Sequence, residues 1–414
     1  MSAHAFKAAS LALSFALNIV VARILPIEQA GTFMTLLVLV PALSMAGRCG
    51  TDVFVLRYSR WGDVRGARIA TIGMPHAQLM KITLAGSVLI ALAGAVGMIP
   101  FGPLFSESSG VSPLFVLPLL ASVPFNAVSV LNSAVLRAAG KFRLSPFLEL
   151  GLAQGVAMVA VLPISLVAAN LFLALSLASL VGWAVAAAVS VVAVRSATAE
   201  FGTHEEPVRV WPLVWITIGG ITFYAWTWLP AFAAWLFLGA AEAGIVVAIL
   251  KYVALLNLVQ VIQVNSLLPR VASLQSAARL TEITRLVRRQ LMHAAPLNAC
   301  IAIGLALLAQ PLMQVYGPTY AENSRLLALS AIAFGLMWSV FGLVVPVTAV
   351  LGEAKLTTIW TLTAGTLGAG ALWFIGESLG TLMAGYLVLT TLMMATIALA
   401  VRRKVGASVA LGLR

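Results

Sequence analysis

Charge is what this chain has least of. Only 9% of its 414 residues are Asp, Glu, Lys or Arg, where a soluble domain carries about 25%. Aspartate is nearly missing, with Asp52 and Asp63 the only two. Cysteine is limited to Cys49 and Cys300, both in apolar stretches. That excludes a disulfide framework and a four-ligand thiolate zinc site. The four histidines, His4, His76, His204 and His293, show no ligand spacing, so neither a metal nor another cofactor is expected. No Gly-x-x-x-x-Gly-Lys-Ser/Thr run occurs, so the chain has no phosphate loop for ATP.

What fills the sequence instead is apolar. Hydrophobic residues make up 61% on a count that omits glycine, and the mean hydropathy is +1.04. A soluble globule cannot hide that much apolar surface, so the bilayer is the natural solvent. The net charge of +12 would suit nucleic acid only on a basic folded face. Here the charges fall in short connections between apolar runs, and nucleic-acid binding is excluded.

A membrane helix needs about 20 largely apolar residues. That ruler places twelve spans, at 5–25, 31–56, 78–100, 113–136, 144–168, 170–194, 211–238, 243–268, 291–313, 325–350, 356–376 and 379–401. With the N-terminus inside, 21 of the 25 Lys and Arg fall on the inner side. Both termini are therefore expected in the cytoplasm. Outer connections are short, the longest being 101–112. The first span is read as a membrane helix rather than a cleaved signal, because no small-x-small site follows it.

The polar run Arg195–Pro207 lies near the centre of the chain. It reads as a linker, 196–210, between an N-terminal six-helix lobe, 1–195, and a C-terminal one, 211–414. Two matches support a repeat. Gly31, in Glu28-Gln-Ala-Gly31, recurs as Gly244 at an offset of 213. The turn Arg137-Ala-Ala-Gly-Lys141 recurs as Leu351-Gly-Glu-Ala-Lys355 at 214. Six spans per half give parallel repeats, the plan of transporters whose lobes rock about a central cavity. The expected fold is an all-α polytopic membrane protein of twelve transmembrane helices, in two parallel six-helix lobes around such a cavity.

The stretch Asn18-Ile-Val-Val-Ala-Arg-Ile-Leu-Pro-Ile-Glu-Gln-Ala-Gly-Thr-Phe33 resembles the opening signature of the polysaccharide-transporter flippases. The Leu136–Phe142 turn and Leu268-Pro269 are similar to further features of that family. It is a branch of the multidrug/oligosaccharidyl-lipid/polysaccharide (MOP) exporter superfamily. The resemblance implies a flippase, not an enzyme, in the cell inner membrane. Its substrate would be an undecaprenyl-diphosphate-linked glycan, a polysaccharide or O-antigen precursor in lipopolysaccharide-type pathways. It further implies alternating access driven by a proton or sodium gradient, with a glycan polymerase or ligase as possible partner.

Ionisable groups within spans are costly, about 2.5–3.5 kcal/mol each on insertion scales, and are functional candidates by default. Lys251 lies eight residues into span eight, about 12 Å deep. Arg48 falls in the inner third of span two and Arg23 closes span one. These three are the candidate substrate-binding cations. Arg supplies a bidentate fork for a diphosphate and Lys a point charge. Asp52 and Glu149 are the coupling or ion-pair candidates, either of which could pair with Arg48. In segment 270–289, Leu280, Ile283, Leu286 and Val287 share one face. Arg270, Arg285, Arg288 and Arg289 lie opposite and only Arg279 strays, the pattern of an interfacial helix with arginines on anionic lipid headgroups. Trp211 and Trp235 read as interface anchors, while Trp215, Trp226 and Trp228 either face a sugar or, the stronger reading, face lipid.

Two other functions were weighed. A drug/cation antiporter of the same superfamily would need cavity carboxylates, and residues 6–25 contain none. A membrane-embedded sugar transferase or polymerase would need paired acidic residues in an outer loop, for which the outer loops are too small.

Overall fold

The computed structural model describes residues 3–58, 60–64, 67–72, 75–139, 141, 144–198, 202–203, 210–256, 259, 280–341 and 354–410. The chain divides into two compact units, Met1–Ile221 and Thr222–Arg414. The division lies inside a helix and not in the polar run at 196–210.

In the first unit the order is α1 (Ala3–Ile24), α2 (Ile27–Arg48), α3 (Thr51–Tyr58), β1 (Arg60–Val64), β2 (Ala67–Ile72) and α4 (His76–Ser109). A 3-10 turn (Pro113–Val116), α5 (Leu117–Ala121), α6 (Val123–Ala138), a π-helical turn (Phe147–Gly151), α7 (Leu152–Ser165) and α8 (Leu171–Thr198) follow. After β3 (Gly202–Thr203), α9 (Val210–Phe237) leads into the second unit. There α10 (240–256) is followed by α11 (Leu280–Leu307), α12 (Ala309–Tyr316), α13 (Pro318–Ala321), α14 (Ser324–Phe341), α15 (Ala354–Ile375) and α16 (Leu379–Ala410). Each of the twelve expected spans overlaps described helix, those at 243–268 and 325–350 only in part. Among the described residues, eight helices are long and apolar enough to cross a membrane by length and composition.

Three boundaries differ from the sequence reading. The helix expected over 78–100 continues to Ser109, so most of the expected outer loop 101–112 is helical. The span expected over 31–56 is two helices, α2 and α3, and starts four residues earlier at Ile27. The connections expected at 57–77 and 196–210 contribute a small sheet. In it β1 pairs antiparallel with β2, Arg60 opposite Thr71. β2 pairs parallel with β3, Thr71 beside Gly202. Backbone groups outside helices need partners, and these strands supply them to one another.

Large apolar side chains are turned outward. Leu89, Val159 and Leu307 are 66%, 76% and 78% exposed, a distribution that suits lipid and not water. Between the helices of the first unit, apolar residues such as Leu17, Phe33 and Leu131 are buried together with small polar ones, among them Ser10, Ser44, Thr83, Ser129, Asn132 and Ser190. Small residues let helices approach closely and polar ones bond across them. A Cβ added to Gly86 on α4 would fall on the Gly47 carbonyl of α2, so only glycine fits at that crossing. Asn132 Nδ2 donates to Ser190 Oγ at 2.9 Å, and Asn132 Oδ1 meets His76 Nε2 at 2.9 Å. That chain joins α4, α6 and α8. Asn18 bonds instead within its own helix, to Ser14 O at 2.6 Å.

The second unit is centred on aromatic rings. Trp226 is 3% exposed and its ring stands 5.7 Å from that of Tyr386. Its indole N–H donates to Thr390 Oγ1 at 3.2 Å. The Phe334 ring also packs against Tyr386, at 6.0 Å. Trp226 is thus a core residue, not the lipid-facing aromatic expected. The repeat has a structural counterpart: Gly31 and Gly244 are each the fifth residue of their helix, α2 and α10. The second matched pair is partly outside the described residues.

Candidate functional site

Of the five charged candidates expected within spans, four lie in terminal turns of helices. Arg23 is one residue from the end of α1 and exposed. Arg48 is the last residue of α2, Asp52 lies in the first turn of α3, and Glu149 lies in the π-turn that opens the fifth span. Lys251 alone is mid-helix, eleven residues past the start of α10, or about 16 Å along its axis.

Lys251 is half-buried, and its Nζ lies 5.8 Å from the centroid of the Trp228 ring. A cation over an indole face is held by the ring quadrupole, worth about 0.5–2 kcal/mol as desolvation increases. Trp228 therefore faces a neighbouring helix, where the sequence reading had it facing lipid. Tyr224, one turn earlier, packs against Trp228 with ring centroids 6.4 Å apart. Two flat aromatic faces and one ammonium group thus stand in a row on α9 and α10. A second aromatic group starts at Tyr252, the residue after Lys251. Its ring meets Tyr316 at 5.8 Å, and Tyr316 meets Tyr320 at 5.5 Å. Tyr252 Oη donates to Leu312 O at 2.8 Å, tying α10 to α12. Burial holds the Tyr316 and Tyr320 hydroxyls above the ordinary phenol range, so both stay neutral.

Arg48 sits at a backbone break. Cys49 is left-handed (φ 50°) and Gly50 follows at φ 75°. The Cys49 N–H closes the end of α2 on Ala46 O at 3.2 Å. A positive φ costs a non-glycine residue, and such residues recur where the chain is forced to turn. Arg48 is 4% exposed. Its Nη1 donates to Ser44 Oγ at 2.7 Å, and its Nε lies 3.3 Å from Asp52 Oδ2. That approach is not aligned as a hydrogen bond, so the attraction is chiefly Coulombic. The pair also suits both helix ends, a cation at the C-terminus of α2 and an anion at the N-terminus of α3. Of the two carboxylates open to Arg48 from sequence, Asp52 is the partner.

Glu149 pairs with Arg137 Nη1 at 3.0 Å. Arg137 had been read only as a loop cation. A π-turn widens the helix and loosens its own hydrogen bonding, and serines from neighbouring helices bond its carbonyls. Ser10 donates to Pro146 O (3.1 Å) and Ser129 to Leu148 O (2.6 Å). Ser133 and Ser145 exchange hydroxyl-to-carbonyl bonds at 3.2 and 3.0 Å. The recurrence of serine four residues apart on α6 was the only sequence signal for this seam.

Arg285, Arg288 and Arg289 are exposed and Ile283 is buried, the sorting expected of an amphipathic segment. From Leu280 on, however, the segment is not a separate interfacial helix. It is continuous with span nine as α11. Residues 270–279 lie outside the described residues. Among the described residues no cluster of His, Cys, Asp or Glu has metal-binding geometry.

No protein-family model and no curated protein sequence matches the chain. Solved structures do. An inward-facing multidrug resistance MATE family transporter of the MOP superfamily superposes with a TM-score of 0.70. It covers 96% of this chain and 95% of its own, at 12% identity. An outward-facing one gives 0.65, with 97% and 93% covered at 13% identity. A mutant Vibrio cholerae MATE transporter gives 0.68, with 98% and 95% covered at 17% identity. At these identities the likeness is one of fold. The chain is a polytopic membrane protein with the twelve-helix, two-lobe fold of the MATE transporters of the MOP superfamily.

Proposed function

We propose that this protein is a secondary exporter that carries an amphiphilic organic substrate across the membrane by alternating access. The observation that carries the reading is the fold, shared over nearly the whole chain with transporters solved in inward- and outward-facing forms. Those proteins are multidrug transporters, so a drug or drug/cation antiporter stands first among the substrate classes. In that role Asp52 and Glu149 are the carboxylates available for coupling to a proton or sodium gradient.

One observation favours a second reading, a flippase for a lipid-diphosphate-linked oligosaccharide. The mid-helix charge is a lysine set against Trp228 and Tyr224. An ammonium at that depth repels organic cations and attracts a diphosphate, while aromatic faces suit a sugar ring. In this reading Lys251 holds the anionic head of an undecaprenyl-diphosphate-linked glycan. A polymerase or ligase would receive the product, and the protein would sit in the inner membrane with both termini cytoplasmic.

One pair of assays separates the two. Proteoliposomes energised by a pH or sodium gradient are loaded with a cationic dye, or with a fluorescent lipid-diphosphate oligosaccharide whose leaflet is read by quencher protection. Dye export that survives Lys251→Ala supports the antiporter. Leaflet transfer that is lost in Lys251→Ala and partly kept in Lys251→Arg supports the flippase. Failure of both substrates with correctly folded protein would end the two readings together.

A further inference from the structure

The arginines at the start of α11 belong to neither substrate reading, and their placement points to a different ligand. Arg285, Arg288 and Arg289 are all exposed, and no carboxylate pairs with them among the described residues. At 100° per residue they fall within an arc of about 100°. Continuing along that arc, the exposed residues are Met292, Pro296 and Ala299, over about 21 Å from Arg285 to Ala299 at 1.5 Å per residue. The opposite face carries buried Ile283, Ala294, Asn298 and Leu305, which turn toward the protein. One surface of α11 thus changes from three guanidinium groups to bare apolar helix within a single leaflet's depth. Glu282, one turn before Arg285, is the only carboxylate on this helix.

We infer that this stripe is a binding site for an anionic phospholipid of the bilayer, its phosphate held by the three arginines and an acyl chain laid along Met292, Pro296 and Ala299. Charge complementarity names the occupant. Guanidinium groups bind phosphate by bidentate, charge-assisted hydrogen bonds, and the apolar continuation requires a hydrocarbon tail, which a free anion lacks. A merely positive loop end would scatter its arginines around the helix. Here they are aligned with the lipid-facing surface. The inference rests on the membrane fold and not on what is transported.

The test uses the full chain purified in neutral detergent, titrated with dioleoyl-phosphatidylglycerol or dioleoyl-phosphatidylcholine and read by native mass spectrometry. The anionic lipid is expected to be retained preferentially. Each Arg→Gln change at 285, 288 or 289 should weaken retention about fivefold, the scale of about 1 kcal/mol per basic residue beside an anionic surface. The control Lys141→Gln, an exposed cation of the first unit, should change nothing. If the triple glutamine variant is unstable, the single variants and the triple Arg→Lys variant still decide the question. Unchanged retention in all of these variants would overturn the proposal. Equal competition by dihexanoyl-phosphatidylglycerol would also overturn it, by removing the acyl contact. Displacement of the phospholipid one-for-one by undecaprenyl diphosphate would assign the stripe to a transported substrate instead, and overturn it equally.

Discussion

Arg48 Nε lies 3.3 Å from Asp52 Oδ2 across the break formed by Cys49 and Gly50. The guanidinium is buried, and the carboxylate is its only ion-pair partner among the described residues. Removing one member of such a pair costs on the order of 3–5 kcal/mol, because a charge is left alone in the interior. Asp52→Asn should therefore lower the amount of folded protein in membranes. Combining it with Arg48→Gln should restore much of that amount. Protein level by immunoblot, with a melting curve in detergent, checks both. Rescue of folding without rescue of transport would give Arg48 a substrate role besides its structural one.

The cation–π contact makes Trp228 a positioning residue for Lys251. Trp228→Phe keeps an aromatic face and should keep most transport, whereas Trp228→Leu should lose transport at unchanged protein level. The rescue by Phe separates positioning from simple packing, since Leu also fills apolar space. Loss of transport to the same extent in both variants would contradict the cation–π role.

At the π-turn the serines matter more for stability than the ion pair. Glu149 and Arg137 have side chains 37% and 29% exposed, and a pair so open to solvent contributes at most about 1 kcal/mol. Ser129 is fully buried and its bond to Leu148 O is the shortest of the seam. Losing such a bond while leaving a buried carbonyl unpaired costs about 1–3 kcal/mol. Ser129→Ala should lower the melting temperature more than Glu149→Gln does. A larger loss in Glu149→Gln would mean that the ion pair, and not the serines, holds the turn.

Helix crossings in the first unit depend on missing side chains. Gly86→Ala places a methyl group on the Gly47 carbonyl and should force α2 and α4 apart, with a marked loss of folded protein. Gly97, further along α4, has nothing within 4 Å of the added methyl. Gly97→Ala is the matched control and should be neutral. The pair is compared by expression level and thermal melting.

Orientation is tested by cysteine labelling in a background with Cys49 and Cys300 replaced, since both are exposed. Residue 107 should react from outside and residues 63 and 205 from inside. Labelling of residue 205 from outside would break the twelve-span topology.

Much of this protein was legible without coordinates, because lipid demands runs of about 20 apolar residues and each run declares itself. The positions of the twelve spans, the weak repeat at Gly31 and Gly244 and the list of charged candidates all followed from that demand. Its limits also follow from physics. Hydropathy does not register a two-residue reversal, so the break at Cys49 and Gly50 was hidden and Arg48 was placed inside a helix that it ends. Nor does it say which partner a charge finds: Glu149 meets Arg137, twelve residues away through a turn, and not Arg48. Trp226 and Trp228 sit two residues apart on one apolar helix, and only the packing of α9 decides that one joins the core around Tyr386 while the other lies under Lys251. Composition and periodicity fix what must enter the membrane, whereas side-chain pairing arises between helices distant in sequence, where only the tertiary structure brings the partners within reach.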